Sequence, residues 1–360
     1  MTVIDLTIRA VVARAVSVPL TRPISTANSV IPVAPLVLID VATKQGVIGR
    51  SYLFCYTPLV QKAIIDLIDN MAELIVGQAV DPVLRMRELS DRFLLLGRQG
   101  LVGIVIAGFD MAFWDALGQA SAMSVARLLG GNENPVQAYI SHGFIDAKRD
   151  EEIIQASLDE GFTAMKIKIG RPDPRQDEAT IAAVRSMIGD NVRLMVDYNQ
   201  SLSVPEAIRR IRRLEKYDLE WVEEPVAAED HIGHARVRNS VNTPIQTGEN
   251  WWYPEDAARA YAAEASDFAM LDIMKIGGVT GWNAAAGYAS GARLPVSSHL
   301  FIEASAHVLA VTPSAHYLEY LDVAGEILLE SPMISSGTLA PKGPGLGMIW
   351  NESAVAQYLV

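Results

Sequence analysis

An α/β barrel preceded by a compact α+β unit is the fold class this sequence predicts. Three observations predict it. From Pro135 onward, short apolar runs alternate with amphipathic stretches of helical period. Eight such runs follow one another, the number that closes a parallel barrel. Nearly all of them carry a polar or charged residue at their C-terminal end.

In the first unit, Leu6 to Pro19 reads as a strand with alternating apolar positions. Thr21 to Val33 is rich in Pro, Ser and Thr and reads as a loop. Pro35 to Thr43 and Val47 to Phe54 read as two strands joined by the turn Lys44-Gln45-Gly46. Helical patterns follow at Leu59–Val76, Pro82–Leu96 and Gly103–Leu129. The barrel strands are expected at Val136–Ser141, Ala164–Ile169, Arg193–Tyr198, Leu219–Glu224, Pro244–Glu249, Phe268–Ile273, Leu294–His299 and His316–Tyr320. Helices are expected between them, such as Pro205–Leu214, opened by Ser203 and Glu206 at capping-box spacing, and Glu255–Ala265. The chain thus divides into residues 1–132, a barrel at 133–322, and a segment 323–360 that returns to the first unit. Roughly 190 residues is short for a barrel that typically takes ~250, and the last two strands leave room for one helix between them.

The formal net charge is −12. That argues against a nucleic-acid surface, where clustered Lys and Arg must meet phosphates. It leaves a small anionic ligand open, because a bound cation and a few lysines reverse the field inside one pocket. The single cysteine, Cys55, excludes an internal disulfide and suits a cytoplasmic location. Asp5 and Arg9 interrupt the apolar run a signal peptide needs. The most apolar stretch, Gly100 to Leu117, is broken by Asp110 and Asp115 and reads as a buried helix; no membrane association is expected.

Active sites of such barrels lie at the C-terminal strand ends. Those ends carry Lys166 and Lys168, then Asp197 and Asn199, then Glu223, Glu249, Asp272, His299 and Glu319. Singly each is unremarkable; their common register is the signal. Asp197, Glu223 and Glu249 repel one another unless a cation sits among them, and hard oxygen ligands select Mg²⁺ over Zn²⁺. The alternative for any one is a solvated charge at a strand end. Glu224, beside Glu223, is expected to point the other way and to support the ligands indirectly. Lys166 and Lys168 share a strand face. Burying two ammonium groups together is expected to depress their pKa values, as a base near neutral pH requires; the alternative is a salt bridge to a nearby carboxylate. Asp272 and His299 end adjacent strands, so the carboxylate is expected to orient the imidazole. Glu319, if inward, is expected to stay protonated and donate to a developing oxyanion.

Together these motifs resemble the enolase superfamily. Lys166-Ile-Lys168, Val196-Asp197-Tyr-Asn199, Trp221-Val-Glu223-Glu224-Pro, Gly248-Glu249-Asn-Trp, Asp272-Ile-Met-Lys275-Ile-Gly-Gly and Ser297-Ser-His299-Leu-Phe are similar to its mandelate racemase subgroup, across essentially the whole chain. A lysine or histidine base with Mg²⁺ is the known pattern of such sites. The resemblance implies a modified (β/α)7β TIM-like barrel under an α+β capping domain. It implies Mg²⁺ on Asp197, Glu223 and Glu249, and a small carboxylate substrate. It implies racemisation of a 2-hydroxy acid, mandelate or a close analogue, through an enediolate. Lys168 would then exchange the α-proton of the S enantiomer, and His299, paired with Asp272, that of the R enantiomer. Lys166 and Glu319 would hold the substrate carboxylate, Asn199 its α-hydroxyl, and Ser141, Tyr56, Ile24, Asn28 and Ile31 would line the pocket. A homo-oligomer, an octamer in many relatives, is implied as well. Where the subgroup has a capping loop of small apolar residues, this chain has polar Asn28 and bulkier Ile24 and Ile31; Ile140 replaces a polar side chain. The rivals are an acid-sugar dehydratase of the same superfamily, and a barrel that binds without turnover.

Overall fold

The computed structural model describes residues 5–25 and 30–360. Three strands open the chain: β1 (Ile8–Ser25), β2 (Val30–Thr43) and β3 (Ile48–Phe54), an antiparallel sheet in sequential order. The stretch expected as a loop is largely strand. Ile24 pairs with Ile31 and Ser25 with Val30, so β1 and β2 form one long hairpin. The proline content misled. A register shift lies between Pro19 and Ile24, where Pro19 and Pro23 lack the N–H a ladder needs, and β-branched residues resume the pairing beyond it.

Helices α1 (Gln61–Ile75), α2 (Pro82–Arg92), α3 (Leu101–Ser121) and α4 (Val125–Leu128) follow. The third expected helix is split after Ser121, where Ala122 turns left-handed at φ 50°. Among the described residues α3 alone is long and apolar enough to cross a membrane, but it is the core helix of the first unit: 83% of its apolar window is buried. It packs on the sheet, with Gly108 against Ile39 and Leu53. The two acids that interrupt it have structural partners. Asp115 accepts the amides of Arg50 (2.8 Å) and Leu346 (2.7 Å). Asp110 accepts the amide of Thr280 (2.9 Å), on the helix Gly278–Gly291.

The second part alternates strands β4 (Val136–Phe144), β5 (Ala164–Lys168), β6 (Arg193–Asp197), β7 (Leu219–Glu223), β8 (Ile245–Thr247), β9 (Phe268–Asp272), β10 (Val296–His299) and β11 (Leu318–Tyr320) with helices α5 (Glu151–Asp159), α6 (Pro174–Ile188), α7 (Val204–Leu214), α8 (His231–Arg238), α9 (Tyr253–Ala262), α10 (Gly278–Gly291) and α11 (Ile302–Leu309). Seven helices for eight strands make a (β/α)7β barrel. All strands pair in parallel from β11 through β4 to β10. The ring closes where the His316 amide donates to the Val296 carbonyl (2.7 Å) and that of Ser298 to Tyr317 (2.9 Å). Tyr139, Ala164, Met195, Trp221 and Met270 fill the interior, a packed layer beneath the strand ends. The expected capping box of α7 is not made. Ser203 forms no side-chain cap, and the Glu206 carboxylate, which would reach back to the Ser203 amide, is bonded instead to Arg209 (3.0 Å) and Arg210 (2.6 Å).

Strand β12 (Thr338–Leu339) pairs with β4, and α12 (Glu352–Tyr358) lies against the first unit. There Trp350 donates to Asp40 (2.7 Å) and Arg14 pairs with Glu352.

The first unit also meets the barrel at Tyr52, whose hydroxyl donates to Glu303 (2.8 Å) and whose ring stacks on Phe301. Burial, with Asp322 nearby, pushes the Glu303 carboxyl from 4.5 up to about 7. The folded chain therefore keeps this proton at pH values where the unfolded chain has released it. Stability from this group is complete below about pH 4.5 and is lost as pH rises through about 7. Glu303→Gln is expected to remove that dependence and to be more stable than the parent at pH 8 by on the order of 3 kcal/mol. Thermal melts at pH 5 and pH 8 check this; equal pH dependence in both proteins would contradict it.

Candidate active site and metal centre

The strand ends converge as the register demanded. Asp197, Glu223 and Glu249 offer oxygens that all lie within 4.8 Å of one another. Local backbone builds this. Gly248 sits at φ 132°, and a Cβ there would meet the Met270 carbonyl at 2.4 Å; this turn after β8 belongs to glycine and precedes Glu249. Asn199, at φ 43°, takes a left-handed turn that Asn tolerates and donates its amide to Asp197 Oδ1 at 2.7 Å.

Three buried acids this close demand positive charge. Two lysines provide part of it. Lys166 Nζ lies 2.8 Å from Glu223 Oε1 and 2.9 Å from Glu319 Oε1. Lys168 Nζ lies 2.8 Å from Asp197 Oδ2 and also bonds Asn199 Oδ1. The expected depression of the lysine pKa values is corrected here. Burial works against both ammonium groups, but Glu223 and Glu319 outweigh it for Lys166, and Asp197 and Glu249 for Lys168, so both titrate above the usual lysine range. Each lysine finds its own carboxylates.

The acids respond unequally. Burial raises Glu223 well above the usual carboxylate range, and Asp197 and Glu249 add to this against Lys166. Burial also opposes ionisation of Glu249, but His299, Lys168 and Lys275 overcome it and hold that carboxyl low. Glu319 is not the neutral donor expected. Burial favours that form, yet Lys166, His299 and the Leu300 amide (3.0 Å) bring its carboxyl down to about 2.

Asp272 and His299 meet as expected, Oδ2 to Nδ1 at 2.7 Å. The other oxygen of Asp272 accepts the amides of Met274 (2.8 Å) and Lys275 (3.0 Å), which fixes the carboxylate. Nε2 of His299 then lies 3.4 Å from Glu249 and 3.9 Å from Glu319. Burial opposes the imidazolium, but Glu249, Asp272 and Glu319 prevail and raise its pKa. Around the closed ring, β5 and β10 stand three strands apart by the shorter way.

A cavity of about 820 Å³ opens over this cluster. Lys166, Lys168, Asn199, Glu249, His299, Glu319 and Ser141 form its floor side; Ile31, Phe54, Tyr56, Ile140 and Leu321 supply apolar wall. Asn28 lies outside the described residues, and of Ile24 only the backbone is described. Glu224 departs from expectation. Its backbone, at φ 33°, returns the side chain toward the acids, and it shares the Asn250 amide with Glu249 (2.7 and 3.2 Å). Its Oε1 is buried without a hydrogen-bond partner. Asn250 and Lys275 were missed, as were Phe54 and Leu321. The sequence signal for the first two was their place in the quoted motifs, Asn250 next to Glu249 and Lys275 three residues beyond Asp272.

The donor set fits a divalent cation: all-oxygen ligands, mutual repulsion, and an unpaired buried carboxylate oxygen beside them. Fold and site together define a barrel enzyme that works with a divalent metal ion. Residues 8–130 match the family model for the mandelate racemase / muconate lactonizing enzyme N-terminal domain, and residues 149–354 the enolase C-terminal domain-like model. The chain belongs to the enolase superfamily, in its mandelate racemase and muconate lactonizing enzyme group, and is Mg²⁺-dependent as that family is.

An enolase from Bradyrhizobium, crystallised with magnesium and mandelic acid, is 51% identical and covers 100% of both chains with a TM-score of 0.98. An L-talarate dehydratase from Polaromonas sp. JS666, in complex with Mg and L-glucarate, is 28% identical over 99% of this chain and 98% of that one, with a TM-score of 0.89. The L-talarate/galactarate dehydratase of Salmonella typhimurium is 30% identical over 263 residues, 72% of this chain and 66% of its own length.

Proposed function

We propose that this chain racemises a 2-hydroxy acid, mandelate or a close aryl analogue, with Lys168 and His299 as its two bases. The observation that carries this is a cavity reached by both an amine on β5 and a carboxylate-oriented imidazole on β10, under an apolar wall. A proton beside a carboxylate is far less acidic than either base can match, so the charge that develops when it leaves must be stabilised by the site. Asp197, Glu223 and Glu249 would hold Mg²⁺, which would supply Lewis-acid stabilisation of that charge; with their charge so engaged, these carboxylates would hold Lys168 protonated less strongly. Lys166 neutralises the substrate carboxylate from one side and Ser141 lies on the neighbouring strand position. Glu319 meets the same carboxylate, and sharing a proton with it requires its own pKa to rise once substrate charge arrives. Asn199 holds the α-hydroxyl. Asp272 keeps the His299 proton on Nδ1, so Nε2 faces the cavity as the acceptor. Phe54, Ile140 and Leu321 give an aryl ring an apolar face.

Incubating a single enantiomer of mandelate with the enzyme and Mg²⁺ in D₂O tests this. Loss of optical rotation with deuterium at the α-carbon is expected. The second reading, dehydration of an acid sugar, draws on the dehydratase relatives and on the polar flank of the cavity at Gln200, Ser201 and Asp150. Release of a 2-keto acid from galactarate or talarate, with mandelate unchanged, would favour it.

A further inference from the structure

Lys275 is a nearly buried cation that the proposed chemistry does not use, 8% exposed. Its backbone amide donates to Asp272 Oδ1 (3.0 Å). Its Nζ donates to Asn250 Oδ1 (2.6 Å) and stands 5.0 Å from the centre of the Tyr56 ring, which comes from the first unit. Beyond it, Asn250 Nδ2 donates to Glu224 Oε2 (2.7 Å) and Glu249 Oε1 (3.2 Å). The sequence of contacts therefore runs from an aromatic wall of the cavity, through an ammonium and an amide, to a metal-binding carboxylate.

We propose that Lys275 is a positioning residue for Glu249: by donating to Asn250 Oδ1 it locks the amide so that Nδ2 faces Glu249 and Glu224. An ammonium only donates, and an amide has one accepting and one donating end. Lys275 at the oxygen end leaves Asn250 one orientation. The interposed amide matters chemically. An ammonium placed directly on Glu249 would compete with a cation for the same oxygens, whereas a neutral N–H orients the carboxylate and leaves its charge for the metal. The cationic face of Lys275 is meanwhile held by the Tyr56 ring, a cation–π contact. Removing Lys275 leaves Asn250 Oδ1 without this donor, so the amide, and with it the N–H it offers to Glu249, loses the contact that fixes its position.

The proposal rests on the Mg²⁺ site and is independent of which substrate is turned over. Mg²⁺ titration by calorimetry tests it. Lys275→Met is expected to weaken Mg²⁺ binding at least tenfold, in the range of about 10- to 100-fold that partners of metal ligands command. Asn250→Ala is expected to weaken it by the same factor, and the double variant by no more than either single one, because both act through one link. Lys275→Arg, which keeps a donor and a charge, is expected to retain most of the affinity. Unchanged or tighter Mg²⁺ binding in Lys275→Met would overturn the proposal, since a lost charge with no lost orientation gives that result. Additive losses in the double variant would overturn it too. Glu249→Gln separates the two readings: it is expected to abolish tight binding, and if it keeps parental affinity, the metal site itself is misassigned and the positioning role falls with it.

Discussion

Lys168→Ala is expected to lose α-proton exchange from the S substrate by about 10²- to 10⁴-fold, the usual contribution of a positioned base, while exchange from the R substrate persists. His299→Asn is expected to do the reverse. The reason is geometric. On the proposed reading each base would reach the substrate carbon from its own strand, β5 or β10, so neither would stand in for the other. Removing the amine leaves the Asp272–His299 pair intact at 2.7 Å. Removing the imidazole leaves Lys168 on Asp197 and Asn199. Net racemisation stops in both variants, because a proton taken from one face has no donor on the other. Proton NMR in D₂O, starting from each enantiomer separately, reads the asymmetry. Equal losses from both enantiomers in both variants would count against two bases.

A second large effect is expected from the metal. Stripping Mg²⁺ with a chelator, or replacing Glu223 by Gln, should lower turnover by about 10³-fold or more, since metal stabilisation of a developing oxyanion is worth several kcal/mol and each 1.36 kcal/mol is tenfold. Stability should report the same event without any substrate. A ligand bound only by the folded state raises its melting temperature. Added Mg²⁺ is expected to raise that of the parent and to leave Glu223→Gln unmoved. The variant should fold, because burial and the neighbouring acids already raise the Glu223 pKa, so a neutral amide relieves a buried charge and repulsion as well as removing a ligand, and Lys166 keeps Glu319 at 2.9 Å. A melting temperature that responds to Mg²⁺ equally in both proteins would place the ion elsewhere.

The chemistry at the strand ends was legible in the sequence because a barrel converts sequence period into spatial register. Each βα unit delivers its last residues to the same rim, so Asp197, Glu223 and Glu249 meet, and i, i+2 spacing puts Lys166 and Lys168 on one face. The same logic placed Asp272 beside His299. The long hairpin was hidden, because Pro19 and Pro23 mimic loop composition while the pairing of Ile24 with Ile31 depends on the partner strand.

Side-chain charge states and cross-element links were decided by tertiary structure alone. The lysines are raised rather than depressed, and Glu319 is ionised, because the answer depends on which carboxylates stand within hydrogen-bond distance in three dimensions. Glu224 returns to the acids through one left-handed residue. Asn250 and Lys275, 25 residues apart, join only once β8 and β9 are side by side. Sequence period fixes where side chains begin; distances of a few ångströms, set by packing, fix what they become.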